Sequence, residues 1–250
     1  PTSPSLPKID VPSELDWDFW LGPTPKVDFI EKTANGHTYT RCHYEFRWWY
    51  DYSGGKMTDW GAHHNDIAQW GLGMDDSGPI AVESEGEAPS KDPNSYNCHP
   101  TFKVTYTYPH DTKLVCAHTQ LPDALDKGMR GHDNGVLFVG EGDKWIFVSR
   151  GTIVASDKKL IDEPLPEDRK VRLPVSNNHM ANFLDGMRDH KPCICSAEVG
   201  FHSVVVCHIG VISLRLGKGF KWDPAKMRSD SDDANKMLSR PMREPWKIEV

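Results

Sequence analysis

The segment Phe102-Lys103-Val104-Thr105-Tyr106-Thr107-Tyr108 alternates apolar and polar residues strictly. A period of two puts one set of side chains on each face of a strand, so this segment reads as half-buried sheet. Pro109-His110-Asp111 makes a turn into Lys113-Leu114-Val115-Cys116-Ala117-His118-Thr119, a second strand. Gly135-Val136-Leu137-Phe138-Val139 and Lys144-Trp145-Ile146-Phe147-Val148 flank the turn Gly140-Glu141-Gly142-Asp143 and form another hairpin. Thr152-Ile153-Val154-Ala155 adds a short strand. Strands joined by such short turns run antiparallel, because a parallel pair needs a crossover of a dozen or more residues.

Helical spacing appears around these strands. Residues 178–188 carry apolar side chains at 180, 183, 184 and 187, and residues 197–216 form a longer helix around the run Val204-Val205-Val206-Cys207-His208-Ile209-Gly210-Val211-Ile212. A short helix is expected within residues 232–238. The aromatic-acidic box Leu15-Asp16-Trp17-Asp18-Phe19-Trp20-Leu21-Gly22-Pro23 reads as one helical turn that anchors its rings on the core and stops at a breaker. Residues 24–45 look irregular. Residues 1–14 hold prolines at 1, 4, 7 and 12 and read as an extended linker, leaving 15–250 as a single domain. The chain opens on proline without an initiator methionine or signal peptide, and is expected to continue upstream. Cytoplasm and periplasm both stay open.

A formal charge of −7 argues against broad nucleic-acid binding, which needs a basic surface to displace counterions. The longest apolar run is too short for a membrane span of about 20 residues and reads as a buried helix. The six cysteines contain no CxxC pair and resemble no zinc module. They read as free, mostly buried thiols.

The chemistry concentrates in Gly54-Gly55-Lys56-Met57-Thr58-Asp59-Trp60-Gly61-Ala62-His63-His64-Asn65-Asp66, a glycine turn that opens a helix over 55–71. At about 100° per residue, with Asp59 as zero, His63 falls near 40°, Asp66 near −20° and Trp70 near 20°. Met57, Trp60, His64, Ile67, Ala68 and Gly71 form the expected packing face. Asp59 and His63, four residues apart, are neighbours on a different face and make a candidate proton-transfer pair. Asp59, His63 and Asp66 are also a weak metal-ligand set. His118 and His132 are the histidines that would strengthen it, and any lone histidine otherwise defaults to surface or hydrogen-bonded core. Arg47, Trp48, Trp49, Tyr50 and Tyr52 have the chemistry of a carbohydrate platform, or equally of core and rim aromatics. Gly71-Leu72-Gly73 and Gly140-Glu141-Gly142 do not form the glycine fingerprint of a dinucleotide-binding unit.

Arg47-Trp48-Trp49-Tyr50-Asp51-Tyr52-Ser53-Gly54-Gly55-Lys56, followed by Asp59-Trp60-Gly61-Ala62-His63, resembles the second domain of the Gfo/Idh/MocA oxidoreductases. The family pattern is a glycine turn and then Asp-x-x-x-His. The resemblance runs from the Leu15 box through Asn178 to Phe183 and on to Pro245-Trp246-Lys247. It implies an α+β domain with a large open, mostly antiparallel sheet and helices packed on one face, serving substrate binding and homo-oligomerisation (dimer or tetramer) through the open sheet face. It implies His63 as the acid/base group and Asp59 as its partner, with Arg47, Trp49, Tyr50, Lys56 and His64 as candidate substrate contacts. The substrate class is a sugar, cyclitol or glycoside, oxidised or reduced with NAD or NADP. The cofactor would be bound mainly by a Rossmann domain that this chain does not contain, and the family's Glu-Lys-Pro motif is absent too. Two alternatives remain at this point: a sugar-binding or assembly module without redox chemistry, and a metal-assisted keto-sugar lyase or epimerase.

Overall fold

A computed structural model describes residues 1–129, 131–169 and 175–248. The chain forms two compact units. The first comprises Pro1–Asn65, Ser77–Thr119 and Val204–Val250, and the second Asp66–Asp76 and Gln120–Ser203. Two of the four boundaries, Asn65/Asp66 and Ser203/Val204, fall inside helices, and the other two, Asp76/Ser77 and Thr119/Gln120, fall in loops.

The first unit is built on a five-stranded antiparallel sheet. Its strands are β3 (Ala81–Gly86), β4 (Phe102–Thr107), β5 (Lys113–Ala117), β9 (Phe220–Asp223) and β10 (Arg228–Ser229), in the order β10-β9-β3-β4-β5. The alternation in β4 works as the sequence predicts. Phe102, Val104 and Tyr106 are buried, while Lys103, Thr105 and Thr107 take the other face. Register pairs Thr105 with Glu83 and Val115, and Lys103 with Glu85 and Ala117. The outer face is therefore mainly polar.

The inner face packs on α6 (Ala197–Leu216). Ser84 and Ser213 share a hydrogen bond of 2.7 Å. At Gly210 the helix backbone comes so near the Tyr106 hydroxyl that an added Cβ would collide with it. α6 is long and apolar enough to cross a membrane, with mean hydropathy 1.6, which the nine-residue run did not reveal. More than half of that stretch, 56%, is buried inside the protein, as in a core helix.

The expectation of irregular chain over 24–45 is corrected. β1 (Glu31–Ala34) and β2 (His37–Thr40) pair antiparallel across Asn35-Gly36. Both turn residues have positive φ, 53° and 75°, as a two-residue hairpin turn that matches strand twist requires. The strands were hidden by their polarity, since neither carries an alternating apolar face. The prolines at the N-terminus keep that segment extended, and it is docked rather than loose. Leu6 is buried with Ile30, Trp48, Trp49 and Tyr96, and its N–H donates to the Asn94 carbonyl at 3.0 Å.

Helix α1 (Trp17–Leu21) realises the aromatic box. Asp16 caps it by accepting from the Phe19 N–H, and Trp17 and Leu21 turn inward against Phe29 and Cys42. The C-terminal tail clasps this turn. Arg243 donates to Asp18 Oδ1 and to the carbonyls of Asp18, Gly22 and Thr24. α7 (Asp232–Lys236) precedes the tail, capped by Ser231.

The second unit holds a separate three-stranded antiparallel sheet, β6 (Val136–Val139), β7 (Trp145–Ser149) and β8 (Thr152–Ala155). Its helices are the short turns α3 (Pro122–Ala124) and α4 (Lys159–Asp162) and the longer α5 (His179–Asp189). Met180, Phe183, Leu184 and Met187 line one side of α5 as spaced, but each is 53–60% exposed. The fold class is thus α+β with antiparallel sheets, as expected, and the strands among the described residues are distributed over three sheets. All six cysteines are free; Cys42, Cys98 and Cys207 are buried, and Cys195 is exposed.

Candidate functional site

Gly54 and Gly55 lie buried at the start of the motif. The N–H of Gly54 donates to the Thr58 hydroxyl at 2.9 Å, and Gly55 takes φ +68°, which glycine adopts without strain. A 3-10 turn over Gly55–Met57 follows. The regular helix, α2, covers Trp60–Gly71 and so starts later than the 55–71 expected. Asp59 sits in the turn just ahead of it.

That placement changes the Asp59 contacts. Its Oδ1 accepts from Arg47 at 3.1 Å, and its Oδ2 lies 3.6 Å from the Lys56 ammonium. Arg47 is itself fixed: its Nε–H donates to the Tyr44 carbonyl at 2.9 Å, and its guanidinium lies 3.4 Å above the Tyr44 ring centroid. Lys56 lies 5.4 Å from the Trp48 ring centroid. Among the described residues no hydrogen bond or ion pair joins Asp59 to His63. The four-residue spacing brings side chains together only inside a helix, and one member of this pair lies outside it.

His63 is exposed on the first turn of α2, with the Trp60 ring at 5.6 Å. The buried face of this segment is Met57, Gly61, Asn65, Ala68 and Gln69. It is rotated from the expected packing face towards polar residues, because Asn65 finds sulfur partners in Met57 and Cys207. Gly71, expected to pack, is exposed.

The remaining candidates separate. Trp49 is completely buried, its indole N–H donating to the Thr40 carbonyl at 3.0 Å, so neither ring face is open to a ligand. His64 is half-buried and meets the Trp60 ring edge-on. Tyr50 is buried, and its hydroxyl lies 2.6 Å from His99 Nδ1. The His99 backbone N–H donates to the same hydroxyl at 3.3 Å, and the direction of the Nδ1 contact follows the His99 tautomer. Burial, and secondarily the Arg215 charge, holds His99 below its ordinary value. It is therefore neutral near pH 7. Nothing in the sequence marked His99, which is 49 positions from Tyr50.

Among the described residues no three His, Cys, Asp or Glu side chains come together as a metal-ligand set, Asp59, His63 and Asp66 included. Asp66 accepts from the Ser203 hydroxyl at 2.5 Å. His118 lies against the Pro100 carbonyl and His132 against Phe147.

Comparison with known proteins places the chain. The family model described as "Oxidoreductase family, C-terminal alpha/beta domain", of Gfo/Idh/MocA type, matches residues 2–248. No curated protein matches. The solved structures it resembles include aldose-aldose oxidoreductase from Caulobacter crescentus, complexed with glycerol. That pair has 13% identity and a TM-score of 0.43, covering 71% of this chain and 51% of the other. Another is a putative myo-inositol dehydrogenase from Sinorhizobium meliloti 1021, at 14% identity and TM-score 0.39, covering 68% and 50%. A third is an oxidoreductase from Agrobacterium radiobacter, solved with NAD+, L-tartaric acid and magnesium, at 11% identity and TM-score 0.38, covering 67% and 49%. The chain spans about half the length of each of these three.

Proposed function

This chain belongs to the Gfo/Idh/MocA oxidoreductase family as its C-terminal alpha/beta domain, and from that premise we propose that it is the substrate-binding part of an NAD(P)-dependent sugar or cyclitol oxidoreductase. The observation that carries this reading is the exposed His63 on the first turn of α2, one turn after a carboxylate held by two cations.

The proposed division of labour follows from those contacts. A polyol carbon that is oxidised must lose its hydroxyl proton, and His63 is the group that takes it. In the reverse direction His63 returns the proton. Asp59 does not set the imidazole tautomer by direct contact, because both its oxygens are engaged. Its role in this reading is to hold Arg47 and Lys56, whose remaining N–H donors face neighbouring hydroxyls of the substrate. A bidentate-capable guanidinium and an ammonium fixed on one carboxylate form a rigid donor array, which orients a diol at little entropic cost.

The nicotinamide cofactor does not fit the described residues of this chain. Its sheets contain only antiparallel pairs, and no glycine-rich turn joins a buried parallel strand to a helix. In this proposal NAD or NADP is bound by residues outside these 250, and the chain described here handles the proton and the polyol.

The test is polyol-dependent NAD+ or NADP+ reduction by the intact protein. His63→Ala is expected to lower kcat by about 100-fold or more, the usual contribution of a positioned acid/base group, with an unchanged circular dichroism spectrum. A variant with wild-type turnover would sink the assignment.

A further inference from the structure

A second site in the first unit stands apart from the residues just described. A cleft of about 640 Å³ opens beside the end of β3, the loop after it and the C-terminal end of α6. Tyr50, Glu85, Asn97, His99 and Arg215 supply its polar lining, and neither Asp59 nor His63 takes part.

Three observations give the cleft a sign. Arg215 lies 5.0 Å from the Tyr50 ring centroid, and among the described residues it has no ion pair or hydrogen bond to any side chain or carbonyl. Its guanidinium donors are therefore available. A second guanidinium, Arg240, is near enough that the Arg215 charge, after burial, lowers its pKa, with the Asp51 charge acting in the opposite direction. Finally, the Tyr50 hydroxyl occupies His99 Nδ1, which leaves Nε2 as the ring nitrogen that His99 can offer a ligand.

Two carboxylates lie near the cleft and both have partners. Glu85 is paired with Lys103 across the strands at 3.2 Å, and Asp51 accepts from Asn97 at 3.3 Å and lies 3.9 Å from Arg41. At the end of α6 the Leu214 carbonyl is occupied by the Gly217 N–H. Arg240 uses Nη1 on the Asp51 carbonyl at 2.6 Å and has further donors. What remains is an open guanidinium over the Tyr50 ring, in a cleft that the His99 imidazole also lines. Such a set recognises an oxyanion by charge-assisted hydrogen bonds.

We propose that this cleft binds a small organic oxyanion, a carboxylate or a phosphate ester. Arg215 and His99 contact the anion, and Tyr50 is a positioning residue that fixes the His99 tautomer. The idea does not depend on the redox reading of His63.

Calorimetric titration of the full chain at pH 7.5 and constant ionic strength tests it, with sodium phosphate in one arm and sodium D-gluconate in the other. The wild type is expected to bind at least one of them saturably at a single site. The stronger arm identifies the anionic group. Arg215→Gln, at an exposed position, is expected to weaken that binding about tenfold or more. Tyr50→Phe keeps the ring and removes the O–H. It is expected to weaken binding several-fold and to move the His99 ring nitrogen shifts from a single Nε2–H tautomer to a mixture. No saturable heat with either anion, or an Arg215→Gln isotherm equal to wild type, overturns the site. An unchanged His99 tautomer in Tyr50→Phe overturns the role given to Tyr50.

Discussion

Asp59 shows at the scale of one residue what spacing can and cannot tell. The sequence places it four positions before His63, and a helical reading makes the two neighbours. The carboxylate instead turns to Arg47 and Lys56, because regular helix begins only at Trp60. Arg47 is twelve positions away, and nothing local announces that contact. Trp49 and Tyr50 make the same point, since the chain beside a glycine turn could present either one outward. The structure buries Trp49 and sets Tyr50 against His99. Gly36 is the opposite case, a residue whose need is local to the pair Asn35-Gly36. At φ 75° an alanine there costs about 1–2 kcal/mol. Gly36→Ala is expected to lower the unfolding free energy in urea by that amount, and an unchanged midpoint would contradict the turn assignment.

At the scale of elements, strands rich in apolar residues were legible and polar strands were not. β4, β5, β6, β7 and β8 appear close to their expected bounds; burial alternates strictly in β4, whereas β6, β7 and β8 are short apolar runs between turns. β1 and β2 are mainly polar, and β3 is half polar as well. Helix α6 was readable from its apolar run, although its 20 residues exceed that run because Glu198, His202 and Ser203 interrupt the hydropathy. The ends of the chain carried the family resemblance as two separate boxes, and the fold joins them. Arg243 gathers four acceptors on and beside α1, and the Trp246 ring lies 6.0 Å from Phe19. A charged hydrogen-bond cluster of this kind contributes about 1–3 kcal/mol. Arg243→Ala should therefore lower the urea midpoint without altering the slope. A midpoint equal to wild type would mean that the clasp adds nothing.

For the whole molecule, burial of titratable groups gives stability a direction with pH. His99 and His118 both sit below the ordinary histidine value of 6.5, chiefly through burial. The unfolded chain takes up these protons as pH falls through 6.5, while the folded chain resists until lower pH. The unfolded state then binds more protons, so acid reduces stability over that window. Unfolding free energy is expected to be lower at pH 5.5 than at pH 7.5, and a flat or inverted profile would refute this. The family, with its C-terminal alpha/beta domain, accounts for residues 2–248, and the sequence was sufficient to recognise it. Two of the four boundaries between the compact units fall inside α2 and α6, where helical periodicity continues unbroken. The central claim is that His63 handles the hydroxyl proton of a polyol. Its most direct measurement is kcat for polyol oxidation by the intact protein, for wild type and His63→Ala. The account predicts that the variant falls by about 100-fold or more while its fold is kept. Turnover retained unchanged in His63→Ala would contradict it.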